Sequence, residues 1–371
     1  MLKKTSVVII VLVLAALVMT ACQPQVVEVE KVIKETVVVV EEVEVEVEKE
    51  VEVEVEKIVE VEKEMEVISA EGLSLAVLLG GLINDGGFNS VGYQAILEAQ
   101  ELGVETTYIE QVSTADVGGL MSDYASQEFD IVYAYSGAYQ SAVFDTAPLH
   151  PETTFVAFTG PERVASAPAN VWISGNAFED AYYLSGVLAG LMTETNVIGY
   201  VGGANIPVYV AGAVAYEEGA KSVNPDVEVL SLFTGSQNDA LAAKEATTGQ
   251  IESGADIINS TQNHGLFGVI AAAGAAENHV WVIGLTSDQK ELSAEHMLTS
   301  VTMDYGAVLA EIVMGVAAGE PGGYVPINLE TGYAGLAPFY GEVPDDVLAT
   351  LEEVTQQLIA GEIDYTTAAD L

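Results

Sequence analysis

Three patterns of apolar and polar positions follow one another along this 371-residue chain. Residues 7–18 are almost continuously apolar, and residues 26–67 alternate valine with glutamate, most plainly in VEVEVEKEVEVEVEKIVEVEKE. From residue 69 onward, apolar runs of strand length alternate with segments of helical periodicity. This pattern predicts strands at 73–79, 105–110, 131–135, 154–158 and 171–173, with helices at 91–102 and 115–127. After a long helix at 178–192 the series restarts. Strands are predicted at 197–201, 227–233, 257–258 and 280–285, and helices at 207–218, 240–253 and 267–276. A strand at 298–302, read as returning to the first lobe, precedes helices at 305–317 and 345–360. Two successive series of βα units imply an α/β protein with two mostly parallel sheets, each covered by helices.

The first two patterns set the chain's organisation. Lys3 and Lys4 precede the apolar run, and Thr20-Ala21 puts small side chains before Cys22, the only cysteine. At residues 7–18 the run is shorter than the roughly 20 a membrane-crossing helix needs. The segment resembles a bacterial lipoprotein signal, in which Cys22 becomes the lipidated mature N-terminus. An uncleaved anchor with an incidental cysteine is the competing reading. A disulfide within one copy is impossible, so stability must come from the core. Residues 26–67 carry sixteen Glu and five Lys. Period-two alternation would put all the glutamates on one strand face, where they repel, and no turn residues fold hairpins. An extended, solvated stalk is expected. Its 42 residues reach up to about 140 Å when fully stretched. Self-assembly through the valine faces is the alternative. The predicted organisation is a signal at 1–22, a stalk at 23–70 and a binding domain at 71–371. Within the domain, lobe one takes about 72–176 plus 298–325, lobe two takes 177–297, and 326–371 packs on the lobes and hinge.

Charge narrows the function. The whole chain carries a formal −45, and beyond residue 69 there are only Arg163, Lys221, Lys244 and Lys290 against forty acidic residues. Phosphate repulsion excludes nonspecific nucleic-acid binding, and anionic membrane surfaces are disfavoured too, which makes a lipid the better tether. Enzymatic readings find little support. The one cysteine is assigned to lipid, and His150, His264, His279 and His296 have no close metal-ligand spacing, so neither a metal nor a cofactor is expected. GYVGGANIP after a strand lacks the G-x-G-x-x-G fingerprint, and GAKSVN lacks the upstream glycine of a phosphate loop. Two sets of loops at the carboxyl ends of parallel strands can instead face each other across a cleft and close around a small solute.

The residues carry a family resemblance. LLGGLINDGGFNSVGYQAILEAQELGVE looks like the opening of the basic membrane lipoprotein (BMP, or Med) family of ABC-transporter substrate-binding proteins. NAFEDAYYLSGVLAGLMTETNVIGYVGGANIPV, FTGSQNDALAAKEA, SGADIINSTQNHGLFGVIAAA, VIGLTSDQ and LETGYAGLAPF follow in the family's order, so the resemblance spans about 72–365. It implies a type I periplasmic-binding fold of two Rossmann-like lobes joined by a three-strand hinge. It further implies a monomeric, lipid-anchored receptor on the extracytoplasmic side that hands a small polar solute, in better-known members a purine nucleoside, to an ABC permease. A tethered sensor without a transport partner is the competing class.

Carried over residue by residue, the resemblance implies that Asp85 and Asn89 contact a base and that Phe88 stacks on it. The plain alternative makes Asp85-Gly86-Gly87 only a turn, with Phe88 in the core. Gly202-Gly203 matches a glycine pair that lets ligand approach backbone N–H groups. The chain departs from the pattern elsewhere. Phe158-Thr159-Gly160 stands where the family has an aspartate, Gln237 replaces an aromatic residue beside Asn238, and Thr286-Ser287-Asp288-Gln289 replaces D-S-D-Q. The lysine expected after T-S-V is replaced around Met303. A nucleoside would lose its sugar clamp and half its base sandwich, at roughly 1.5–3 kcal/mol for each charged hydrogen bond. Gln237, Asn238 and the loop Ser260-Thr261-Gln262-Asn263-His264 suggest a neutral, hydroxyl- or amide-rich ligand such as a sugar. His264 is equally readable as a surface residue at a helix start. Tyr135, Tyr139 and Trp172 are readable either as stacking surfaces or as core. The expected site is thus Asp85, Phe88, Asn89, Tyr135, Thr159, Gly202, Gly203, Gln237, Asn238, His264, Thr286 and Asp288, with Cys22 as the lipid anchor.

Overall fold

The computed structural model describes residues 68–366, so Cys22, the signal segment and the stalk lie outside the described residues. Val67–Leu371 clusters as one compact unit with its own cores, of a size that folds independently.

Lobe one begins with β1 (Ser74–Leu79), α1 (Phe88–Glu101), β2 (Glu105–Ile109), α2 (Val117–Ser126), β3 (Ile131–Tyr135), α3 (Gln140–Thr146), β4 (Thr154–Thr159) and β5 (Val171–Asn176). Lobe two follows with α4 (Glu179–Met192), β6 (Val197–Gly202), α5 (Pro207–Val223), β7 (Glu228–Phe233), α6 (Ala240–Glu252), β8 (Ile257–Thr261), α7 (Leu266–Ala273), β9 (Trp281–Thr286) and β10 (Met297–Met303). The chain then adds α8 (Tyr305–Ala317), β11 (Gly323–Ile327), β12 (Ala334–Leu336) and α9 (Asp345–Ile359). The two sheets run β11-β5-β4-β3-β1-β2 and β12-β10-β9-β8-β6-β7. Every pairing is parallel except that of β12 with β10. Central strands such as β3, IVYAY, are buried at every position because helices cover both faces. The edge strands β2 and β7 mix exposed and half-buried positions, with none fully buried.

Each sheet contains the same order, with its first strand between its second and third, so the switch points lie between β1 and β3 and between β6 and β8. Ligand crevices form outside the carboxyl ends of strands at such points. The α4–α5 pair backs the second sheet through near backbone contact. A Cβ on Gly186 would lie 2.0 Å from the Tyr216 carbonyl oxygen, and one on Gly219 would lie 2.1 Å from that of Tyr183.

One expectation is corrected. The strand over 298–302 does not return to lobe one, because β10 pairs in parallel with β9 and antiparallel with β12 in the second sheet. Lobe one is instead completed by α8, which packs on α1, and by β11, which pairs with β5. The residue pattern of β10 is that of any strand covered on both faces, buried at six of its seven positions. Such a pattern does not encode which sheet receives the strand. The chain passes between lobes three times, from β5 to α4, from β10 to α8 and from β11 to β12. The result is a two-lobed α/β architecture of the type I periplasmic-binding kind.

Candidate functional site

The turn between β1 and α1 is built around one carboxylate. Asp85 Oδ1 accepts from the Gly87 N–H at 2.9 Å and from the N–H and hydroxyl of Ser90, both at 3.1 Å. Asp85 Oδ2 accepts from the Asn89 side-chain amide at 2.8 Å and its N–H at 3.3 Å. The three backbone donors among these, the N–H groups of Gly87, Asn89 and Ser90, lie at the start of α1 where no earlier helical carbonyl can satisfy them, and Gly87 at the helix cap has no side chain to offer. Asn89 is buried and also accepts from the Gly81 N–H at 2.9 Å, which ties the turn to the end of β1. Asp85 and Asn89 are therefore engaged first with their own loop.

Phe88 heads α1 and stacks on Tyr135 of β3, with ring centroids 4.2 Å apart and planes at 15°. Phe158 and Tyr305 lie at 5.3 and 5.5 Å from it. The Tyr135 hydroxyl donates to the Phe88 carbonyl at 3.2 Å. Tyr135 and Tyr305 are buried, while Phe88 keeps part of its surface exposed. Burial pushes the Tyr209 hydroxyl, at the start of α5, up to about 12, and the nearby Asp85 charge adds to the rise. Burial likewise holds Tyr135 far above the usual phenol range, with Tyr305, Tyr133, Asp85 and Tyr209 contributing. These phenols stay neutral at ordinary pH, so the hinge side of the cleft is aromatic and uncharged.

Lobe two presents amides. Glycine at 202 leaves room for the Phe233 ring, and glycine at 203 for Gln237, whose Oε1 lies 1.7 Å from where a Gly203 Cβ would stand. Both polar ends of the Gln237 side chain are buried without a hydrogen-bond partner. Gln262, 1 % exposed, donates to the Gly202 carbonyl at 2.8 Å and to Thr234 at 3.2 Å, and its Oε1 is likewise buried and unpartnered. The lobes meet at Asn263. Its N–H donates to the Gln237 carbonyl at 2.9 Å, and its Nδ2 donates to Asp85 Oδ2 at 3.0 Å.

Of the expected residues, Asp85, Phe88, Asn89 and Tyr135 are gathered on lobe one, and Gly202, Gly203 and Gln237 on lobe two. Thr159 is buried at the end of β4 and donates to Gln140 at 2.6 Å. Thr286 closes β9 at φ 78°, a left-handed conformation rare for a β-branched residue. Asn238 and His264 are exposed on the rim, where Asn238 accepts from the His264 N–H at 3.4 Å. Asp288 is exposed, accepts from the Tyr340 hydroxyl and the Lys290 N–H, and does not join the gathered groups. Trp172 and Tyr139 are core residues. The Trp172 ring wedges against Gly315 and Gly323, and the Tyr139 hydroxyl donates to the Val112 carbonyl. Sequence reasoning left out Tyr209, Tyr305 and Gln289. Gln289 ends the S-D-Q run after β9, the only one of the three with a motif to mark it.

A family model described as ABC transporter substrate-binding protein, PnrA-like, matches residues 73–364. A putative ABC transporter glucose-binding protein of Haloferax volcanii is 27% identical over 267 residues, covering 70% of this chain and 65% of that protein, slightly under two thirds of its length. An ABC transporter nucleoside-binding protein of Lactococcus lactis is 28% identical over 275 residues, covering 67% of this chain and 77% of the relative. A purine-binding protein of Brucella abortus is 27% identical, covering 73% and 76%. Solute-binding protein structures from Aeropyrum pernix and Conexibacter woesei share the fold. Their TM-scores are 0.71 and 0.69, their identities 20% and 23%, and they cover 80% of this chain and 93% and 99% of their own. With the family model spanning most of the chain and both lobes of the expected fold in place, this chain belongs to the PnrA-like family of ABC transporter substrate-binding proteins, which bind solute outside the cytoplasm for a membrane permease and catalyse no reaction.

Proposed function

We propose that the cleft takes a neutral solute rich in hydroxyl groups, a sugar or a similar polyol, and presents it to the permease while Cys22 tethers the chain to the membrane. The observation that carries this reading is the Gln237 amide, buried against Gly203 with neither its donor nor its acceptor paired. Leaving such a group without a partner costs about 1–3 kcal/mol. A solute hydroxyl both donates and accepts, so it satisfies either end of the amide. The Gln262 Oε1, also unpaired, adds an acceptor nearby. The name of the Haloferax volcanii relative, glucose-binding, agrees with this class.

A second reading, a purine nucleoside, is favoured by the partly exposed Phe88 ring and by the names of two other relatives, nucleoside-binding and purine-binding. Against it, five of the six donors to Asp85 come from its own loop, and threonines stand at 159 and 286 where the family resemblance implies aspartates. Native mass spectrometry of gently purified protein, followed by calorimetric titration with hexoses, pentoses and nucleosides, tests the choice. A hexose or polyol that binds the parent, and binds Gln237→Leu at least tenfold more weakly with unfolding unchanged, supports the proposal. A co-purified nucleoside, or hexose binding indifferent to Gln237→Leu, overturns it.

A further inference from the structure

Two side-chain amides of lobe two grip one turn of lobe one. Asn263 donates from Nδ2 to Asp85 Oδ2 at 3.0 Å and accepts at Oδ1 from the Phe88 N–H at 3.4 Å. Gln289 donates from Nε2 to the Gly86 carbonyl at 3.2 Å. Each amide is held from behind by its own lobe. The Asn263 N–H is fixed on the Gln237 carbonyl. Gln289 accepts at Oε1 from the Leu285 N–H at 2.8 Å, and its own N–H reaches Ser300 Oγ at 3.3 Å. Asn263 is 8 % exposed and Gln289 4 %. Glycines make room for both amides. A Cβ on Gly87 would lie 2.3 Å from Asn263 Oδ1, and one on Gly284 would lie 2.3 Å from Gln289 Oε1.

We propose that Asn263 and Gln289 form a self-contained latch that closes the lobes on the turn at 85–88, and that Asn263 sets specificity by taking the one hydrogen bond Asp85 makes to lobe two. A solute held by the Gln237 side of the cleft leaves the latch intact. A solute that must donate to Asp85 first displaces the Asn263 amide, and its apparent affinity falls by the fraction of molecules in which that bond is broken. The latch follows from protein groups alone and does not depend on which solute class the cleft takes.

The test uses the Val67–Leu371 unit, which contains no cysteine, with spin labels on Thr114→Cys and Leu241→Cys, exposed sites on lobes one and two. Interlabel distances are measured by pulsed electron resonance without added solute. The parent is expected to give mainly the short, closed distance. Asn263→Ala should shift the closed-to-open ratio toward open by about tenfold, and Gln289→Ala should shift it in the same direction. Asn263→Asp keeps the volume but faces Asp85 with a second carboxylate, so it should open the lobes further than alanine does. A role in packing alone predicts the reverse order. Alanine opening the lobes more than aspartate, or distances unchanged in folded variants, overturns the latch. Adenosine, whose exocyclic amine can donate to Asp85, should bind Asn263→Ala at least tenfold more tightly than the parent. Unchanged adenosine binding overturns the specificity assignment while leaving the reading built on Gln237 to its own test.

Discussion

Phe88→Ala removes a ring that belongs both to the hinge-side core and to the cleft. The ring stacks on Tyr135 at 4.2 Å, with Phe158 and Tyr305 within 5.5 Å, and part of it is exposed. Truncating a fully buried phenylalanine costs about 3–5 kcal/mol. Partial exposure removes some of that, while a stacked aromatic pair adds about 0.5–1.5 kcal/mol beyond its buried area. The expected loss of stability is therefore about 2–3 kcal/mol. For a domain of this size, that lowers the melting temperature by roughly 3–5 °C. Urea unfolding of Val67–Leu371 measures this part, and titration calorimetry well below the transition measures solute binding by the folded fraction. A stacking role alone would make binding fall far more than stability. The packing around the ring makes both fall, with the binding loss exceeding what the unfolded fraction explains. Phe88→Leu, which keeps apolar volume but no π-face, should recover most of the stability and little of the binding. A stability loss under about 1 kcal/mol would refute the aromatic cluster. Unchanged binding would refute contact between the exposed ring and the solute.

Other outcomes follow from single groups. Gly203→Ala puts a methyl where the Gln237 amide lies, so solute affinity should drop tenfold or more with a small change in the urea midpoint. Thr286→Gly releases a β-branched residue from φ 78°, and strain relief of about 1–3 kcal/mol, less the roughly 0.5–1 kcal/mol entropy cost of glycine, should raise stability in the same assay. Tyr133, Tyr135, Tyr200, Tyr209 and Tyr305 all have phenol pKa values raised above 10, chiefly by burial. Their contribution is whole below pH 10, where the unfolded phenols are also neutral, and is lost as pH rises through the folded values, about 12 for Tyr209. The urea midpoint should hold from pH 8 to about 10 and fall steeply above it.

The fold was largely legible because apolar runs of strand length recur between helical periods, a pattern that parallel sheets require. It failed at β10, where sequence pattern carries no label for the receiving sheet. Gly202 and Gly203 were readable as places of close approach, and the structure supplies the neighbours, Phe233 and Gln237. The turn at 85–89 was readable as a motif. That its carboxylate satisfies the first turn of α1 depends on backbone geometry that no residue spacing reveals. Asn263 and Gln289 escaped notice as a pair because their partnership spans two lobes and about two hundred residues.

The charge pattern of the domain bears on the same chemistry. An anion in the cleft would gain from a basic side chain, yet none of the four basic residues beyond 69 belongs to the gathered groups. Arg163 lies over the Phe144 ring at 4.7 Å, Lys221 pairs with Glu217, and Lys290 lies over the Tyr340 ring at 4.1 Å. Lys244 belongs to α6. Forty acidic residues, Asp85 in the cleft among them, create a field that repels anions and attracts cations. A cation would find Asp85 already holding six donors. The amides at 237 and 262 carry no charge, and under the proposed function they meet groups that both donate and accept. A neutral solute escapes both the field and the missing counter-charge, so the acidity of the domain agrees with the solute class proposed from the Gln237 amide.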